Sequence, residues 1–218
     1  MNYVNINDEN TYFDLKEIDA VVKGQKFILG IFIGDKIIMG LTGNKIFIRF
    51  FENVDVESLL DLYLRNGELF QKYSPTFDDD FYTLDSKRKY ISNSIKQREE
   101  DKKYSFGIYL KDNGKLVGDV SLYHIFRGSL QRCLIGYSLE KQYNGRGYTT
   151  EAVSLAVEFA FNELKLHRVD AGVMLSNIGS MRVLEKVGFH REGIEQKGVK
   201  INGQWVDHQI FAIISDNN

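Results

Sequence analysis

The chain has 218 residues, 43% of them hydrophobic, enough to bury the core of one globular domain with at most an appendage. A formal net charge of −2 argues against a nucleic-acid binder, and one cysteine, Cys133, excludes an internal disulfide and any cysteine-rich metal site. No apolar run reaches the roughly 20 residues of a membrane span, and the N-terminus lacks a signal-peptide pattern, so the expected setting is the reducing cytoplasm, with no metal, nucleic acid or membrane as partner.

Residues 1–43 read as an extension. Two apolar runs, 27–33 and 36–39, are split by Gly34-Asp35, which is the pattern of a hairpin that would extend a sheet. Residues 39–51 also look like a chain that starts with its first strand, so a true start at Met39 with a miscalled upstream region is the competing reading. Residues 44–218 carry the main domain. A strand is expected over 46–51. Val56, Leu59, Leu60, Leu62, Tyr63 and Leu64 then follow helical spacing within 54–66. Ser74-Pro75 breaks that pattern, and Asp78-Asp79-Asp80 forms an acidic loop, solvated by default and of the right charge to draw in a cationic substrate. Residues 84–98 make a polar second helix.

From Tyr104 the period changes to that of strands. Residues 104–110 and 115–123 form a hairpin around Asp112-Asn113-Gly114, and a third strand follows over 132–139. Next comes a polar turn from Gln142 to Tyr148 with glycines at 145 and 147, then a helix over 149–164 with Thr149 and Thr150 as cap candidates and Glu151 at its positive end. A strand, a glycine turn and a helix N-terminus in that order can cradle a phosphate on free amides; the same Gly-x-Gly also suits a tight turn with no ligand. A strand over 168–175 and a helix over 178–187 follow, the helix capped by Ser176-Asn177 and stopped at Gly188. Strands around 199–201 and 205–214, joined by Asn202-Gly203, end the chain. This order is α+β with a mainly antiparallel sheet, and it excludes a doubly wound dinucleotide-binding fold.

Over residues 44–214 the chain resembles the GNAT acetyltransferases, and within them the RimJ/RimL-like branch. Gln142-x-x-Gly145-x-Gly147 is similar to the family's acyl-CoA pyrophosphate motif. Asn177-x-x-Ser180 followed by Leu184-Glu-Lys-Val-Gly188-Phe189 is similar to its second signature. Leu166-His167-Arg168 and Asn202-Gly203-x-Trp205-x-Asp207-His208 point to the branch. The resemblance implies the GNAT fold, a mixed and mainly antiparallel sheet with splayed central strands flanked by helices, and acetyl-CoA as cosubstrate.

The pantetheine would pair with the backbone of Tyr137, Ser138 and Leu139. The pyrophosphate would lie on Gln142, Tyr143, Asn144, Gly145, Arg146 and Gly147, and on the helix start at Tyr148, Thr149 and Thr150. Asn177 would bond the pantetheine arm, and Ser180, also on the cofactor, is the candidate acid for the leaving thiolate. A backbone N–H near Leu139 would polarise the thioester.

Three family positions depart from the pattern. The strand glutamate that serves many relatives as base corresponds to Gly172, the helix tyrosine to Leu184, and another glutamate position to Val199. The base is therefore open, with Asp119, His124 and His208 as candidates by chemistry. An α-amine with a pKa of about 7.8 is roughly 10–15% neutral at pH 7 against about 0.04% for a lysine, a difference of about 3.5 kcal/mol, so a site without an obvious carboxylate base suits an N-terminal amine. The expected reaction is direct attack in a ternary complex on acetyl-CoA by a protein N-terminus, with a ribosomal protein as the acceptor the resemblance implies. A small amine such as a polyamine or aminoglycoside-like drug is a second reading, and a non-catalytic acyl-CoA sensor a third. A covalent route through Cys133 is not expected of a lone cysteine beside a strand. Monomer and homodimer both remain open.

Overall fold

The computed structural model describes residues 40–75 and 80–216 in full, and the strand backbones of 3–5, 12–16, 29–33 and 36–39. Eight strands form a mixed sheet, β4 (Lys36–Thr42), β5 (Ile46–Phe50), β6 (Lys103–Leu110), β7 (Leu116–Phe126), β8 (Arg132–Leu139), β9 (Arg168–Met174), β10 (His190–Ile201) and β11 (Gln204–Ile214). Their spatial order is β4-β5-β6-β7-β8-β9-β11-β10, and every neighbouring pair is antiparallel except β8–β9. Beyond β4 the sheet continues through β3 (Leu29–Ile33), β2 (Tyr12–Lys16) and β1 (Tyr3–Asn5). In the region where a hairpin is expected, β3 and β4 pair antiparallel from Leu29↔Gly40 to Ile33↔Lys36; the linking Gly34-Asp35 lies outside the described residues, as do Phe27 and Asp78-Asp79 of the acidic loop.

Successive strand residues face opposite sides of the sheet, and two cores result. On β5, Ile46 and Ile48 join the core beneath α3 (Tyr148–Asn162) and α4 (Ile178–Val187). Phe47 between them joins the core beneath α1 (Val56–Lys72) and α2 (Leu84–Glu99), with Leu59, Leu62 and Ile91. In α3, Ala152, Val153, Leu155, Ala156, Val157 and Ala160 are all buried, the broad apolar surface its sequence requires, and three alanines let it lie close to the strands. Each buried Leu, Ile or Phe contributes about 1.5–3 kcal/mol. The crossover from β5 to α1 is fixed by Arg49, whose two terminal nitrogens bond the two Asp55 oxygens at 2.7 and 2.6 Å, with the guanidinium 4.1 Å from the Tyr109 ring.

Several boundaries differ from the sequence expectation, β7 for one running on to Phe126 past the expected 123. Helix α1 runs on to Lys72 because Phe70 turns back into the core. Helix α3 starts at Tyr148 with Gly147 as its N-cap, so Thr149 and Thr150 sit inside the first turn and are not caps. Strand β10 begins at His190, nine residues ahead of the expected 199.

Candidate active site

Strands β8 and β9 hold together at one end only. Their pairs run from Arg132↔Arg168 to Leu134↔Asp170 and stop. At that closed end the buried Asp170 carboxylate accepts from Arg132 Nε at 2.8 Å and from Arg168 Nε at 2.7 Å. Past it, β8 keeps its ladder to β7 through Val120↔Tyr137, Asp119↔Ser138 and Gly118↔Leu139, while its other edge has no strand partner. The sheet thus opens into a cleft lined on the β8 side by the backbone of Tyr137, Ser138 and Leu139, where N–H and C=O groups are free to pair with an extended ligand.

The cleft leads to the glycine turn. A 3-10 turn over Lys141–Tyr143 is followed by Gly145 at φ 77° and Gly147 at φ 86°, left-handed conformations that favour glycine, and a Cβ at either would meet nothing within 4 Å. The backbone here is shaped by dihedral need, not by crowding. The helical ladder of α3 begins with Glu151 N–H donating to the Gly147 carbonyl at 3.0 Å, so the amides of Tyr148, Thr149 and Thr150 precede it.

Charge follows the same plan. Arg146 and Lys115 each lie 5.4 Å from the Tyr143 ring, and the Tyr143 and Tyr148 rings are 6.1 Å apart. Glu151, which would repel an anion at this helix end, is turned away: its carboxylate accepts from the backbone N–H groups of Asn44 and Lys45 in the β4–β5 turn. Gln142 gives its side-chain amide to Glu140, which also takes Arg65 of α1, and Asn66 of α1 accepts from Lys141 N–H at 3.1 Å. Asn144 N–H donates to the Lys141 carbonyl at 3.2 Å, which tightens the turn. Lys115 is paired with Glu140 Oε2 at 3.6 Å, and the free amides, Arg146 and an acid turned away from the helix end fit a pyrophosphate.

On the far side of the cleft, Asn177 caps α4, its Oδ1 accepting from Ser180 N–H at 3.1 Å. The Tyr137 hydroxyl reaches across from β8 to Ser180, 2.8 Å from its Oγ and 3.1 Å from its carbonyl oxygen. Burial pushes the Tyr137 phenol up to about 12, against the pull of its bond to Ser180. The structure therefore brings Tyr137, Asn177 and Ser180 together at one place. Cys133 is buried on β8, and burial pushes its thiol up to about 12, so it is a poor nucleophile.

The three base candidates separate clearly. His124 is exposed at a β7 bulge, with φ 50°, beside Tyr123. His208 is buried on β11, its Nδ1 3.3 Å from the Val206 carbonyl oxygen, and its ring flanks the place where a Gly172 side chain would stand. Asp119 sits beside the cleft strand. Its Oδ2 accepts from Ser138 Oγ at 2.6 Å and from the Tyr63 hydroxyl of α1 at 3.4 Å. Its carboxyl is held above the usual aspartate range by burial, against the pull of Ser138, Lys103, Tyr63 and Lys87. The sequence names Asp119 only as one of three candidate bases; Tyr63 and Lys87 have no motif and reach it through the packing of α1 and α2.

The family described as the acetyltransferase (GNAT) domain matches residues 45–190. This chain belongs to the GNAT acetyltransferase family. It is 49% identical over 178 residues to the Bacillus subtilis (strain 168) protein named Probable N-acetyltransferase YjcK, a match covering 82% of this chain and 98% of that one. Its fold is similar to the ribosomal-protein-S5-alanine acetyltransferase from Vibrio fischeri, with 26% identity, a TM-score of 0.78 and coverage of 82% and 97% of the two chains. It is also similar to Mycobacterium smegmatis RimJ in complex with CoA-disulfide, with 25% identity, a TM-score of 0.75 and coverage of 78% and 82%.

As a GNAT domain it is an acyltransferase, and the RimJ/RimL proteins stand among its homologues and structural neighbours. Two of the positions that depart from the family pattern are clear in this GNAT structure. Leu184 is sealed in the core beneath α4, and Gly172 is exposed on β9 in the splayed region. Val199 lies on the hairpin strand β10, opposite Val206. Among the described residues no helix is long and apolar enough to cross a membrane, and no cluster of His, Cys, Asp and Glu is set to hold a metal ion.

Proposed function

We propose that this GNAT protein transfers the acetyl group of acetyl-CoA to the α-amine of a protein N-terminus, with a ribosomal protein as acceptor. The observation that carries the reading is the open edge of β8, which has the Tyr137–Ser180 contact on it and leads through the Lys141–Tyr143 turn to the free amides of the glycine turn. In this reading the amides from Gly145 to Thr150, with Arg146, hold the pyrophosphate, and the backbone of Tyr137, Ser138 and Leu139 with Asn177 aligns the pantetheine arm. The thioester then lies near Leu139 N–H and Ser180. Acetyl-CoA supplies the activated acyl group; Ser180 holds a proton where the thiolate leaves, and Leu139 N–H stabilises charge on the carbonyl oxygen.

The choice of an N-terminal amine is supported by two facts. A solved structural neighbour carries the name of a ribosomal-protein-S5-alanine acetyltransferase. The family positions Gly172, Leu184 and Val199 cannot titrate, and an α-amine needs about 3.5 kcal/mol less deprotonation than a lysine. On the acceptor side the β10–β11 turn is joined to the end of α1, Gln71 Nε2 donating to Asn202 Oδ1 at 3.0 Å, so an acceptor would enter between α1–α2 and this hairpin.

The test is CoA release with mass readout on three acceptors, a lysine-free peptide with a free N-terminus, a blocked peptide with one lysine, and spermidine. Turnover confined to the free N-terminus is expected. Turnover on spermidine alone would replace the reading with a small-amine enzyme, and acetyl-CoA binding with no turnover on any amine would leave a sensor.

A further inference from the structure

On the α1–α2 side of the sheet, two rows of residues run across β6, β7 and β8. One is Gly107–Asp119–Ser138 and the other Ser105–Ser121–Gly136. Both rows are made of small side chains with a single carboxylate among them, whereas the same side of the sheet nearer β5 is filled by Phe47, Tyr109 and Leu116. The second row is already satisfied. Ser121 and Ser105 share a hydrogen bond of 3.2 Å, and the Tyr90 hydroxyl is bonded among Ser94, Ser105 and Ser121.

Asp119 in the first row is different. Its Oδ2 is held by Ser138 and Tyr63, but its Oδ1 accepts from no donor among the described residues and is not sealed from solvent. Among the described residues no ion pair includes it: Lys87 and Lys103 act on it only through space, and the Lys87 ammonium lies against aromatic rings, 3.1 Å from the Phe81 centroid and 4.4 Å from that of Tyr63. Burial lowers Lys87 to about 8, against the pull of Asp119, and the ammonium makes no direct contact with the carboxylate. A carboxylate taken partly out of water, fixed by one oxygen and open at the other, costs stability and gains no structural pair in return. It also stands next to the cleft strand, opposite Ser138 and one residue from Leu139.

We propose that Asp119 receives the acceptor: its Oδ1 binds the incoming ammonium and takes the proton the amine must lose before it attacks. This rests on the acetyl-transfer reading above and supplies the base that Gly172, Leu184 and Val199 do not. The ammonium gives one proton to Asp119 Oδ1, and the freed lone pair forms the C–N bond at the thioester carbonyl carbon. The C–S bond breaks with its electron pair on sulfur, which is protonated through Ser180, and the remaining excess N–H proton makes good that loss. Asp119 returns its proton to solvent, so each turnover converts an ammonium and a thioester into an amide, a thiol and one released proton. Tyr63 and Ser138 hold the carboxylate's orientation, while Lys87, Lys103 and the Tyr90 phenol set the field around it.

The sign of the pH effect separates this role from a structural one. A carboxyl whose folded pKa is raised adds stability below its unfolded pKa and loses it as pH rises through the folded value, so ionising Asp119 lowers stability. Asp119→Asn keeps the shape and both hydrogen-bond acceptance from Ser138 and compactness, but removes the charge.

The experiment compares wild type, Asp119→Asn and Asp119→Ser in three readouts: acetyl-CoA binding by calorimetry, thermal unfolding at pH 5 and pH 7.5, and kcat/KM against pH with the three acceptors named above. The expected result is unchanged acetyl-CoA affinity, an unfolding midpoint for Asp119→Asn at pH 7.5 no lower than wild type, and a fall in kcat/KM of at least about 100-fold with loss of the acidic limb of the profile. Turnover kept within about tenfold with the same acidic limb, or an Asp119→Asn chain that unfolds more readily at pH 7.5, would overturn it. If wild type acetylates spermidine or the lysine peptide instead, the N-terminal reading falls, and Asp119 is decided by the same variants on that acceptor. A wild type that acetylates none of the three amines overturns both.

Discussion

At the scale of single residues, the contact between Tyr137 and Ser180 carries the strongest consequence. A serine hydroxyl alone is a weak acid, and its usefulness to a leaving thiolate depends on being aimed. Tyr137 aims it from the opposite wall of the cleft, 2.8 Å away, while the Asn177 cap fixes the backbone from below. Ser180→Ala should therefore lower kcat by about 100-fold with little change in KM for acetyl-CoA, and Tyr137→Phe should lower kcat by a smaller factor. The double variant should be no worse than Ser180→Ala alone, because the phenol acts through the serine. Steady-state CoA release decides it: losses that multiply, or that fall on KM, would make both residues part of the cleft wall only. Ser180 and Asn177 were readable as a spaced signature, whereas their tie to Tyr137 was not, since 43 residues separate the partners and only the splayed sheet brings them together.

At the scale of elements, the glycine turn and the start of α3 act as one unit. Gly147 is both the residue that turns the chain and the N-cap of the helix, at φ 86° with open space around it. An alanine there costs about 1–2 kcal/mol in backbone strain and places a methyl group where a phosphate would approach the amides. Gly147→Ala should raise the Kd for acetyl-CoA by at least about tenfold while lowering stability only modestly, and calorimetry beside thermal unfolding measures both. An unchanged Kd with the expected loss of stability would return the turn to a purely structural role.

Elements with a buried face were legible in the sequence: α1, α3, the β6–β7–β8 meander and α4 with its Asn177 cap and Gly188 stop are all present in the expected order, though the end of α1 is not where the periodicity places it. Strand β10 was not, for a physical reason. It is a sheet edge whose residues are exposed from His190 to Lys197, interrupted by register shifts near Gly193 and between Glu195 and Val199, so it shows no alternation to read. The threonine caps failed because a left-handed glycine already terminates the turn, and Asp119 was legible only as one of three candidate bases until register set it opposite Ser138.

At the scale of the whole molecule, the question is how much of the chain the acetyltransferase needs. The GNAT match spans residues 45–190, and the 49% identical relative is covered over 98% of its own length by 82% of this chain. Inside the described region, the domain is already committed by Gly40. Leu41 is in the core with Ile46 and Ile48, β4 pairs with β5 from Gly40↔Arg49 to Thr42↔Phe47, and the turn between them receives Glu151 from the N-terminal end of α3. In the proposed reading that last contact makes the β4–β5 hairpin a support for the pyrophosphate end of the cleft, so truncation beyond Thr42 would free Glu151 at the start of α3. A chain beginning at Met39 keeps all of these contacts and gives up the β3–β4 pairing with the strands outside it. It should bind acetyl-CoA and turn over as the 218-residue chain does, with an unfolding midpoint lower by no more than a few degrees, about 1 kcal/mol. A chain beginning at Lys45 should lose acetyl-CoA affinity first. If the Met39 chain were inactive or aggregated, β1–β3 would belong to the working sheet, and the N-terminal mass of the native protein would then be expected near Met1.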